Sequence, residues 1–117
     1  MEKRQFNRVD FSAPAILFQQ NRHWQTSIID ISLNGALIGY PDEFEADLEQ
    51  EFELNIEIEG TNQVIKMFGE IVHCANHCLG FHIKCMDIDS ISDLRRLVEL
   101  NLGDASLLQR DITSLVS

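Results

Sequence analysis

Glu51-Phe52-Glu53-Leu54-Asn55-Ile56-Glu57-Ile58-Glu59 alternates polar and apolar residues at period two, the pattern of a strand with one face in a core and the other, a row of acids, facing water. Gly60-Thr61-Asn62 reads as a hairpin turn into a further strand over 63–74. The pattern then repeats with Leu79, Phe81, Ile83 and Cys85 on one parity and Gly80, His82 and Lys84 on the other. Upstream, 15–19, 25–31 and 36–40 form three shorter runs, separated by Gln20-Asn21-Arg22 and by Ser32-Leu33-Asn34-Gly35. About six strands within roughly seventy residues predict a mainly β fold, a small antiparallel barrel or sandwich, because closure removes exposed edges.

The period changes after Ile88. Ser90-Ile91-Ser92-Asp93 has the form of an N-cap box, and Leu94, Leu97, Val98 and Leu102 follow at helical spacing. Gly103 suits a helix stop and Asp104 the cap of a second helix over 105–116. The expected organisation is a single domain of 117 residues: an N-terminal arm over 1–13, a barrel over 14–88 and C-terminal helices over 89–117.

Nine basic against nineteen acidic residues give a net charge of −10, which disfavours nucleic acid and anionic membrane as partners. Lys3, Arg4 and Arg8 nevertheless form a cationic arm on this acidic body. The first residues carry no apolar core of a signal peptide, and no apolar run has the length of a membrane span, so a soluble, cytoplasmic protein is expected. Cys74, Cys78 and Cys85 are an odd set at spacings that do not build a disulfide framework.

Two polar clusters carry the chemistry. Arg4 and Arg8 present planar forks of donors suited to phosphate oxygens or the O6/N7 edge of guanine. Asp30-x-Ser32-x-x-Gly35 sits between two apolar runs, at a strand rim where ligands dock. Ser32 and Gly35 also suit a turn, with Gly35 accepting positive φ, whereas Asp30 is the better discriminator because guanine N1–H and N2–H₂ favour a carboxylate acceptor. His73, Cys74, His77 and Cys78 offer zinc-ligating atoms, but at a strand reversal they alternate between faces and form no C-x-x-C knuckle, so no metal is expected. Arg95-Arg96 reads as surface charge paired with carboxylates, and Trp24 and Tyr40 as packing aromatics. No catalytic triad or carboxylate pair emerges, so the chain is not expected to be an enzyme.

Arg4-x-x-x-Arg8 and Asp30-x-Ser32-x-x-Gly35, in this order, match both motifs of the PilZ family, and the chain resembles its small stand-alone members. The resemblance implies a six-stranded antiparallel β-barrel with C-terminal helices and a receptor for the bacterial second messenger cyclic di-GMP, with no cofactor. It implies that Arg4 and Arg8 clamp the ligand while Asp30, Ser32 and Gly35 complete the cradle. Lys3, Asn34 and His73 are further candidate contacts. A switch follows, in which ligand orders the arginine arm over the barrel and changes the surface offered to a downstream protein, with motility and biofilm control as outputs. The alternative from another class is a ligand-independent protein-interaction adaptor on the same barrel.

Overall fold

The computed structural model describes residues 9–58, 60 and 62–102. Six strands, β1 (Val9–Gln19), β2 (Arg22–Ser32), β3 (Gly35–Gly39), β4 (Phe52–Glu57), β5 (Val64–Ala75) and β6 (Cys78–Cys85), precede one helix, α1 (Ile88–Leu102). The strands close into a barrel in the order β1-β2-β3-β6-β5-β4, and every neighbouring pair is antiparallel. The barrel expected from strand spacing and from the family resemblance is therefore the observed fold.

Alternation selects the core. Phe52, Leu54 and Ile56 of β4 are buried, together with Ala15 and Leu17 of β1, Ile65 and Met67 of β5, and Leu79 and Phe81 of β6. The opposite face of β4 is less wet than the run of acids suggests, since Glu53 and Asn55 are half-buried. Burying these side chains supplies the main driving force for closure.

β1 begins at Val9, inside the stretch expected to be an arm, so 9–13 belongs to the barrel and 1–8 lies outside the described residues. Two features hide this in the sequence. A bulge between Asp10 and Ala13 breaks the period, and Pro14 argues against a strand interior. Pro14 is accommodated because it pairs with Ser27 of β2 while the pairing of β1 with β4 starts at Ala15. Its missing N–H is thus at a position with one strand neighbour.

α1 also starts earlier than the Ser90 box suggests. Asp87 is the cap, its Oδ1 accepting the Ser90 N–H at 2.7 Å. Ser90 is buried and instead accepts the Lys66 N–H at 3.0 Å. β6 ends at Cys85, opposite Phe68, so the Ser90 hydroxyl takes over where strand partners run out. Leu94, Leu97 and Val98 join the barrel core. The expected stop at Gly103 and the second helix over 105–116 lie outside the described residues.

This topology gives the barrel two different ends. One gathers the start of β1, the β2–β3 turn, the β4–β5 turn and the junction into α1. The other gathers the β1–β2 and β5–β6 turns and the 40–51 connection. No helix among the described residues is long and apolar enough to cross a membrane.

Candidate functional site

The β2–β3 turn is two residues long, Leu33-Asn34, between the paired Ser32 and Gly35. Ser32 Oγ accepts the Asn34 N–H at 3.3 Å and donates to Asn34 Oδ1 at 2.7 Å, a hydroxyl-closed turn. Ser32 is buried, and Leu33 points its side chain into the core. Gly35 does not have the positive φ expected of it, a conformation found at Gly60. Its requirement is space: a Cβ here would lie 2.2 Å from the Phe81 carbonyl oxygen. β3 and β6 approach closely at this point, and the Ile83 N–H donates to the Asn34 carbonyl at 2.9 Å.

Strand register extends the turn into a surface. Asp10, Asp30, Leu37, Gly80 and His73 form one outward row across β1, β2, β3, β6 and β5. Ser32, Gly35, His82 and Glu70 form the next row toward the turn, in which Ser32 and Gly35 are buried and His82 is exposed. Register shifts between Asp10 and Ala13, Ile28 and Asp30, and Ile71 and His73 border the first row. Such bulges bend strands and re-aim side chains, and they concentrate beside functional sites.

Asp30 is half-buried on this face, directly opposite Asp10. Like charges across a strand pair repel, so Asp10 and Asp30 make this corner of the barrel locally acidic. Val9 pairs with Ile31, which means that the residue following Arg8 lies opposite the residue following Asp30. Lys3, Arg4 and Arg8 themselves lie outside the described residues.

The structure thus unites Asp30, Ser32, Asn34 and Gly35, while His73 stands three strand spacings from Asp30, roughly 14 Å along the row. His82 is nearer, directly paired with Gly35, and sequence reasoning missed it. Its outward parity on the last strand was visible. The β3–β6 pairing that brings it to the turn was not, because the two strands are far apart in the chain.

The histidine–cysteine segment lies at the other end of the barrel. Asn76 and His77 have φ of 56° and 61°, the left-handed pair of a tight hairpin turn. Cys74 pairs with Leu79 and Ala75 with Cys78, so the two cysteines fall on opposite faces. Among the described residues no three His, Cys, Asp or Glu side chains converge for a metal. Arg95 and Arg96 are exposed on α1 and, contrary to expectation, make no ion pair among the described residues.

Residues 2–100 match the family model for the PilZ domain. The chain belongs to the PilZ domain family. Its barrel is similar to the Bacillus subtilis inhibitor of motility MotI/DgrA, with a TM-score of 0.71 at 14% identity over 89% of this chain and 54% of that one. This PilZ domain therefore spans about half the length of that protein. It is also similar to the PilZ domain of CeSA from a cellulose-synthesising bacterium, with a TM-score of 0.59 at 14% identity over 83% and 96% of the two chains. An uncharacterised Legionella protein matches with a TM-score of 0.52 at 20% identity over 86% and 98%. At these identities the likeness is one of fold.

Proposed function

We propose that this PilZ domain is a non-enzymatic receptor for cyclic di-GMP that reports ligand occupancy to a protein partner. PilZ domains commonly bind this nucleotide, and both motifs associated with it lie within the matched region. The observation that carries the proposal is the register of Val9 against Ile31, which supports the meeting of an arginine arm and the Asp30–Gly35 turn at one corner of the barrel. Arg4 and Arg8 hold the phosphates and a guanine edge in this scheme, Asp30 accepts guanine N1–H and N2–H₂, and Ser32 and Gly35 shape the turn. Asn34 borders the same corner, Lys3 is a further candidate contact from the arm, and His73 reaches only the far side of a bound ligand.

Ordering of the arm by ligand alters the end of the barrel that also carries the start of α1, which gives occupancy a route to a partner surface. Control of motility or biofilm is the output assigned, and that assignment rests on family membership. One observation favours the adaptor alternative: the Ser32 hydroxyl is buried and already satisfied by Asn34, so the turn is complete without ligand.

Isothermal titration with cyclic di-GMP, with GMP and cyclic AMP as controls, tests the receptor assignment. Saturable binding is expected, weakened by salt because the ligand is anionic. Arg8→Ala is expected to lose about 1–3 kcal/mol of binding, the scale of a charge-assisted hydrogen bond. Absence of binding at high micromolar ligand rejects the receptor and leaves the adaptor.

A further inference from the structure

The backbone of Phe81-His82 is held between two glycines. Gly35 of β3 lies so close that a Cβ would meet the Phe81 carbonyl oxygen at 2.2 Å, and Gly69 of β5 so close that a Cβ would meet the His82 carbonyl oxygen at 1.9 Å. The Ile83 N–H bond to the Asn34 carbonyl fixes the same segment to the motif turn. His82 is therefore set on a rigid strand, a better support for a contact than a loop. Its side chain is exposed and makes no hydrogen bond, ion pair or ring contact among the described residues. Lys84, two residues on along the same face, is by contrast tied to Glu51 at 3.1 Å.

Asp30 and His82 share the outer face, two strands and one outward step apart, roughly 12 Å between their Cα atoms from strand spacing and rise. Gly35 and Leu37 of β3 lie between them. A guanine–ribose–phosphate unit fills such a gap, with the base edge at the carboxylate and the phosphate at the imidazole. We infer that His82 is a further ligand contact, outside both motifs, donating a ring N–H to a phosphate oxygen of the bound nucleotide. The inference rests on the cyclic di-GMP assignment above. It gives a protein of net charge −10 one more donor to phosphate on the barrel itself, independent of the arginine arm.

Titration of the wild type, His82→Ala, His82→Arg and His82→Glu with cyclic di-GMP, with Arg8→Ala in parallel and the ligand-free melting temperature of each, tests this. The expected affinity order is Arg at or above wild type, then Ala about five- to tenfold weaker, then Glu weaker again, with melting temperatures unchanged. Equal affinity in all three His82 variants, while Arg8→Ala loses binding, overturns the His82 contact and leaves the receptor standing. No binding by the wild type overturns both.

Discussion

The two ends of this barrel are finished in opposite ways. At the end holding the 40–51 connection, Trp24 meets Phe44 edge-on at 4.9 Å, and Tyr40 meets Phe44 at 5.3 Å. The connection is tied down by Gln19, whose Nε2 donates to the Asp47 carbonyl at 2.8 Å while its Oε1 accepts the Asp47 N–H at 3.1 Å. Arg22 Nη1 adds a bond to the Glu45 carbonyl at 2.6 Å. At the motif end, two aspartates face each other across strands and a histidine stands without a partner among the described residues. The aromatic end packs its rings and polar groups against the 40–51 connection, whereas the motif end sets two aspartates and an exposed imidazole on the outer face beside a hydroxyl-closed turn. In the proposed receptor, stability and recognition fall to different ends of one small core.

Substitutions at each end sharpen that division. Trp24→Ala removes the half-buried ring against Phe44 and Phe52 and is expected to lower stability by about 3 kcal/mol, read from denaturant unfolding. Affinity for cyclic di-GMP should be unchanged wherever the variant is folded; a matching loss of affinity would break the separation of the ends. Gly35→Ala forces a Cβ against the Phe81 backbone, at an expected cost of about 2 kcal/mol. Unlike Trp24→Ala, it should also abolish binding by displacing β3 from β6 at the turn. Gln19→Ala frees the Asp47 backbone and should cost about 1 kcal/mol, with faster amide exchange confined to the 40–51 connection.

The smallest effect is expected at Lys84. Its amine is held above the ordinary value of 10.5 by the hydrogen bond to Glu51, then by the charges of Glu51 and Glu70. A raised value means that the contribution is present below the ordinary lysine range and lost as pH rises through the folded value. The pair is exposed, so Lys84→Ala should leave the unfolding midpoint unmoved at neutral pH. A clear drop in the midpoint would show that this exposed pair, which joins the end of the 40–51 connection to β6, helps hold the barrel.

The strand pattern made most of the barrel legible, because a period of two in β4 and β6 directly reports which side chains face a core. The start of β1 was hidden by a bulge and by Pro14, since neither obeys that period. Asp87 was missed as the α1 cap because Ser90 fits the same local pattern, and only the vacancy beside Lys66 on β5 reveals what Ser90 does. Asp30, Ser32 and Gly35 were recognisable as a motif, but the physical need for Gly35 lay in a strand forty-six residues away, roughly, at Phe81. His82 was concealed for the same reason.

Backbone amide chemical shifts of the full chain, followed during titration with cyclic di-GMP, test the division of the barrel most directly. The expected result is saturable shifts at Val9–Asp10, Asp30–Leu37 and Gly80–Ile83, with Trp24, Phe44 and the 40–51 connection unmoved. Saturable shifts centred on the aromatic end, or none anywhere, would contradict it.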